Sequence, residues 1–220
     1  MHVIDLISNI IQPLNASDTV QKVVDRMAEF RVSHLPIVYE NQFFGLISED
    51  DIIDITDYNK PIAAVNFSLV NPYVFDNQHI YDAIRVFHEQ NLTVIPVLNH
   101  KMDYLGLISI NEMIGYLATL TSVIQPGGII ILEINNRDNS LAHIAQIVES
   151  ENAQILSSFT NAVPDSMKME VTLKLNKTDI SQIVASFLRY EYVIVNTYNN
   201  SDRNNGESDR FDSFMNYLSF

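Results

Sequence analysis

Two tetrapeptides in this chain place a carboxylate three residues after a serine: Ser48-Glu-Asp-Asp51 and Ser109-Ile-Asn-Glu112. A carboxylate has two acceptor oxygens, so it can take both hydroxyls of a cis-diol. A serine that opens a helix also leaves backbone N–H groups facing outward, and these favour an anion such as phosphate. The same spacing has a second use. In a capping box the serine accepts from the N–H three residues on, and the acidic side chain reaches back to the serine N–H. Glu112 suits the box better than the diol role, because its extra methylene moves the carboxylate. Around the first tetrapeptide, Glu49, Asp50, Asp51, Asp54 and Asp57 gather the oxygens that hard cations favour. The first turns of a helix attract such carboxylates without any metal, so no metal site is expected.

No catalytic set accompanies these groups. The six histidines, at positions 2, 34, 79, 88, 100 and 143, are scattered, with none in H-x-x-x-H spacing. There is no G-x-S-x-G and no G-x-x-x-x-G-K-[ST]. Cysteine is absent, which excludes disulfides, thiolate chemistry and cysteine metal sites. No catalytic residue is assigned and no enzyme activity is expected. The formal charge of −14 repels phosphate backbones and anionic bilayers, so neither nucleic acid nor a membrane is an expected partner. No apolar run is long enough for a membrane span, and the N-terminus lacks the basic region of a signal peptide. A cytoplasmic location is expected. With 47% apolar residues over 220 positions, the chain can fill one large core or two modest ones.

Each tetrapeptide ends one copy of a repeated stretch, Ser33 to Asp51 and Thr93 to Glu112. Pro36 aligns with Pro96, Gly45 with Gly106, Ser48 with Ser109 and Asp51 with Glu112. The spacing drifts by one residue, in the turn before the glycine. Leu35–Tyr39 and Phe43–Ile47 read as strands around a polar turn, as do Ile95–Leu98 and Tyr104–Ile108. The glycine within the second strand of each copy predicts close approach by a ligand or another chain segment. Upstream, Val20, Val23, Val24 and Met27, and then Ile80, Ala83, Ile84 and Phe87, recur at helical spacing. Asn15–Asp18 and Asp76–Asn77 are the expected caps, and Leu6, Ile10 and Ile11 would share a face of an N-terminal helix. The unit is helix, strand, strand, helix, preceded by an extended segment.

The pattern h-x-P-h-h, about ten residues, G-h-h-S-x-x-D resembles the CBS domain, and two copies resemble a CBS pair over residues 1–124, with repeats at about 1–60 and 61–124. The resemblance implies two halves packed face to face and a further homodimer. It also implies an adenosine-containing ligand, such as AMP, ADP, ATP or S-adenosylmethionine, and no required cofactor. In that family the serine helps to hold phosphate and the aspartate takes the ribose hydroxyls. The backbone before the proline reads the adenine edge, and apolar side chains sandwich the ring. Carried to this sequence, the ligand residues are Ser33, His34, Leu35, Pro36, Ser48 and Asp51, and Thr93, Val94, Ile95, Pro96, Ser109 and Glu112. Glu112 departs from the family aspartate, so the Asp51 cleft is the competent one. His34 either stacks on a base, senses pH, or simply begins a strand.

Gln125-Pro-Gly-Gly128 predicts a hard stop and a linker. Residues 129–198 then read β-α-β-β-α-β, the ferredoxin-like order, with Asp138 or Asn139 capping the first helix and Asp179 the second. The segment resembles an ACT domain, although Ser140 stands where a ligand-binding glycine is expected. Residues 199–220 are a polar linker and then Phe211, Phe214, Met215 and Leu218 on one helical face, which would dock in cis, on a twin subunit, or in a partner's groove. The fold class is therefore α/β (α+β): a tandem CBS pair plus a ferredoxin-like, ACT-like domain. Over residues 1–198 this arrangement resembles the acetoin-utilization AcuB type. That resemblance implies a regulatory or sensor protein with a regulated enzyme as its partner. The competing reading is a ligand-free dimerisation or scaffold module, in which the tetrapeptides are only caps.

Overall fold

Thr19 begins the first helix: its hydroxyl accepts the Lys22 N–H, and α1 (Val20–Phe30) runs to Arg31 in the left-handed region. β1 (His34–Tyr39) and β2 (Gln42–Ser48) come next as an antiparallel hairpin. Glu40 and Asn41 both have positive φ, the backbone of a tight two-residue turn. The second copy comprises β3 (Val74–Phe75), α2 (Ile80–Gln90), β4 (Val94–Leu98), β5 (Tyr104–Ser109) and α3 (Ile110–Leu120). β4 pairs antiparallel with β5 and parallel with β3. In this computed structural model residues 2–65, 67, 69–135, 140–164 and 166–199 are described. The chain divides into two units, Met1–Tyr116 and Leu117–Phe220.

Gly45 and Gly106 answer the close-approach expectation with chain rather than ligand. Both have φ near +150° (149° and 153°), a conformation that side chains resist. A Cβ on Gly45 would meet Leu69 Cβ at 2.8 Å and Asn71 Oδ1 at 2.9 Å, and one on Gly106 would strike Ile7. The segment leading into each repeat first lies along the other repeat. Ser8 N–H donates to Leu107 O at 2.9 Å, and Leu46 N–H donates to Val70 O at 2.8 Å. His2 bridges His79, and Pro61 bridges Thr19. Each lead-in then crosses to its own hairpin, Leu14 beside Ile37 and Val74 beside Val97.

Several local expectations are corrected. No helix carries Leu6, Ile10 and Ile11 together. Val3–Leu6 forms a short 3-10 turn instead, and Ile10 is exposed while Ile11 is buried. His79, not Asp76–Asn77, caps α2, its Nδ1 accepting the Tyr81 N–H at 3.3 Å. The largest departure comes after Ser48, where turns replace the expected helix. Ile52 N–H bonds to Glu49 O and Ile55 N–H to Ile52 O, both three residues back. The β-branched run Ile52, Ile53, Ile55, Thr56 has weak helix propensity. The chain beyond is also needed elsewhere: Tyr58 O and Lys60 O accept the Gln21 and Val20 N–H groups. Those are orphan donors of the first turn of α1. The second copy has better helix formers (Glu112, Met113, Leu117, Ala118) and forms α3.

The second unit has the ferredoxin-like order: β6 (Ile129–Asn135), α4 (Leu141–Ser150), β7 (Ile155–Ala162), β8 (Lys168–Leu175), α5 (Ser181–Arg189) and β9 (Val193–Tyr198). The sheet order is β7-β8-β6-β9, with every pair antiparallel. Alternate residues of β6 and β8 bury Ile130, Leu132, Val171 and Leu173 against Ile144, Ile183 and Phe187. Ser140 caps α4 by accepting the His143 N–H at 3.1 Å, in place of Asp138 or Asn139, which lie outside the described residues. Asp179 Oδ1 accepts the Ser181 N–H at 3.0 Å. The Gly127–Gly128 pair is more than a linker: Gly128 N–H donates to Lys177 O at 2.7 Å, leading the chain into β6. The tail residues Phe211, Phe214, Met215 and Leu218 lie outside the described residues.

Candidate functional site

Both tetrapeptides form capping boxes. Ser48 N–H and Oγ donate to Asp51 Oδ2 at 2.8 and 2.6 Å, and Asp51 N–H returns to Ser48 Oγ at 3.2 Å. Ser109 N–H donates to Glu112 Oε2 at 2.8 Å, Ser109 Oγ bonds the same oxygen, and Glu112 N–H returns to Ser109 Oγ at 3.3 Å. The same box precedes two different structures, turns after Ser48 and a helix after Ser109. Asp51 and Glu112 are half-buried, and Ser109 is buried. In each box one carboxylate oxygen takes the serine bonds.

Between the boxes the repeats meet at the starts of β1 and β4. Ser33 N–H donates to Thr93 Oγ1 at 3.0 Å. His34 Nδ1 lies 3.1 Å from Thr93 Oγ1 and accepts the Thr93 N–H at 3.4 Å. Two donors therefore converge on Nδ1, which suits a neutral ring protonated at Nε2. Burial lowers the His34 pKa below its ordinary value, while Asp50 and Asp51 pull the other way. Ser33 Oγ donates to Glu49 Oε2 at 3.0 Å, and Ser33 O accepts the Glu49 N–H at 2.9 Å. Thr93 O likewise accepts the Ile110 N–H at 2.9 Å. The two strand starts are thus tied to the two boxes and to each other.

Of the twelve residues singled out from the sequence, Ser33, His34, Ser48, Asp51 and Thr93 are brought together, with Ser109 and Glu112 at the second box. Leu35, Pro36, Val94, Ile95 and Pro96 are buried, and their side chains belong to the core. Sequence spacing gives no sign of the pairing of His34 with Thr93, because the residues are 59 apart and join only when the halves pack. Among the described residues no group of three or more His, Asp or Glu side chains is placed to hold a metal. A cavity of about 450 Å³ in this unit is lined by Ile37, Tyr39, Phe44, Ala63 and Leu69 among others, and no box residue lines it.

The CBS-domain family profile matches residues 3–57 and 66–119. This part of the chain is a CBS-domain pair. Among solved structures, a CBS domain pair/ACT domain protein from Thermotoga maritima is 22% identical, with a TM-score of 0.48 over 53% of this chain and 96% of its own. A protein from Methanocaldococcus jannaschii is 21% identical, with a TM-score of 0.49 over 55% and 61%. CBSX2, in complex with AMP, is 18% identical, with a TM-score of 0.45 over 53% and 95%. No helix among the described residues is long and apolar enough to cross a membrane.

The ferredoxin-like unit has a smaller polar cluster. His143 Nδ1 lies 2.9 Å from the Tyr192 hydroxyl, and its ring meets Tyr190 edge-on at 5.2 Å. Burial raises the Tyr192 pKa. Sequence spacing offers no signal for this cluster, since its residues come from α4 and from the entry to β9, 49 positions apart.

Proposed function

We propose that this chain is a non-catalytic regulatory protein that binds an adenosine-containing ligand at Asp51, in the cleft where the two CBS repeats meet. The supporting observation is the Asp51 carboxylate. Oδ2 takes both Ser48 bonds, which leaves Oδ1 for a ribose hydroxyl beside the Ser33–Thr93 junction. The CBS-domain family match supports an adenosine ligand and a regulatory role. The protein works as a cytoplasmic homodimer of the AcuB type. Its ferredoxin-like unit, ACT-like in element order, passes ligand occupancy to a partner enzyme. Function requires the ligand to bind two states with unequal affinity.

One observation favours the ligand-free reading: both boxes are closed by their own bonds, as simple caps would be. Thermal unfolding of the full chain with AMP, ADP, ATP, S-adenosylmethionine or adenosine, and with Mg²⁺ alone as control, separates the two. A ligand at about a hundred times its dissociation constant adds roughly 2.7 kcal/mol. Asp51→Asn keeps an acceptor for Ser48 and removes the carboxylate, so it should abolish that gain. A stable dimer that no compound stabilises makes the chain an assembly module.

A further inference from the structure

We infer that the adenosine ligand of the Asp51 site carries a positively charged group at its 5′ end, a sulfonium or an ammonium, and not a phosphate. This rests on the adenosine reading above and concerns only the 5′ substituent.

Phosphate is held by free N–H groups or by basic side chains. Around Asp51 most donors are already committed, the Nε2–H of the neutral His34 ring excepted. Ser48 N–H and Oγ point to Asp51 Oδ2. The N–H groups of Glu49, Asp51 and Ile52 go to Ser33 O, Ser48 Oγ and Glu49 O. Ser33 N–H goes to Thr93 Oγ1, Ser33 Oγ to Glu49 Oε2, and Thr93 N–H to His34 Nδ1. Turns rather than a helix come after Ser48, so no helix dipole of that segment faces the cleft. Those bonds use one oxygen each of Asp51 and Glu49, and both carboxylates have a second acceptor. Asp50 adds another carboxylate, exposed beside them. The cleft has a surplus of acceptors, which selects a ligand that brings donors.

The charges point the same way. Residues 1–116 contain fifteen acidic and six basic residues. Lys22 is paired with Asp18 at 2.6 Å and Arg85 with Asp82 at 2.9 Å. Arg26 donates to Gln12 O and Pro13 O. Lys101 lies in the turn at the far end of the β4–β5 hairpin from Ser109. Lys60 lies beyond the turns and meets the start of α1 through its carbonyl. Arg31, the C-cap of α1, is the basic residue nearest in sequence to Ser33. The charges that act on His34 are those of Asp50 and Asp51, both negative.

Calorimetric titration of the full chain without divalent metal tests this, using compounds that share adenosine and differ in charge. 5′-Amino-5′-deoxyadenosine and S-adenosylmethionine should bind roughly ten-fold more tightly than adenosine, and S-adenosylhomocysteine (a thioether in place of the sulfonium) should bind more weakly than S-adenosylmethionine. AMP should bind more weakly than adenosine. The spread should narrow with added salt. Glu49→Gln with Asp50→Asn should narrow it too. Arg31→Ala should change nothing. Metal-free AMP or ATP binding tighter than adenosine overturns the inference, as does ATP binding lost in Arg31→Ala or gained only in a parallel titration with Mg²⁺, while the adenosine site stands. If no adenosine compound binds, both the inference and the proposed function fall.

Discussion

Replacing Gly45 by alanine should uncouple the first hairpin from the lead-in segment that crosses it. The new Cβ would lie 2.8 Å from Leu69 Cβ and 2.9 Å from Asn71 Oδ1. A Cβ cannot rotate away, so the 69–71 segment must move. Overpacking of this kind costs about 1–3 kcal/mol. A side chain at φ +149° adds about 1–3 kcal/mol of backbone strain. A loss of about 3 kcal/mol is expected, which lowers the melting temperature of a unit this size by roughly 10–15 °C. The local signature is sharper. The Leu46 amide, bonded to Val70 O at 2.8 Å, should lose hydrogen-exchange protection while amides of α2 keep theirs. Gly115→Ala is the control. A Cβ there meets nothing within 4 Å, and alanine inside α3 should stabilise by about 0.5–1 kcal/mol. Far-UV circular dichroism during urea unfolding reads the global effect. If Gly45→Ala is as stable as wild type, with Leu46 still protected, the crossed lead-in is not what holds the repeats together.

His34 makes stability depend on pH. Its folded pKa is lowered by burial, so the unfolded chain takes up the proton first as pH falls. The stabilisation is complete above about 6.5, the ordinary histidine value, and is lost as pH falls through the lower folded value. His34→Gln, which keeps an acceptor for Thr93, should remove that slope as pH falls below the ordinary histidine value; parallel melting curves for the two proteins would contradict the assignment. In the second unit, Ser140→Ala removes the acceptor for the His143 N–H at 3.1 Å and should cost about 1 kcal/mol. Ser140→Asp should retain most of that stability, and equal losses from both variants would rule out a capping role.

Much of this protein was set by short-range pattern. The two hairpins, the helices α1 and α2 and the β-α-β-β-α-β order arise from periodicities of 2 and 3.6 that each segment carries alone. The Ser-x-x-acid boxes were equally legible, because their bonds close within four residues. The structure downstream of each box was not. Ser48 and Ser109 open the same box, yet the chain after Ser48 leaves the helical path because Tyr58 and Lys60 are needed at the start of α1. The caps at Thr19, His79 and Ser140 sit one to three residues from where composition placed them, since several neighbouring side chains could each have accepted the same N–H.

The sequence alone determined that a stretch is written twice, and therefore that two similar halves exist for packing. It also put a glycine where something must approach closely, since the need for a bare Cα is a local demand. Only the tertiary structure decided what approaches, which is the lead-in of the opposite repeat. It alone brought His34 to Thr93 and spent most of the N–H groups around Asp51 on the chain itself. The junction joins residues about sixty positions apart, and its energy depends on burial and on competing partners that no single segment contains.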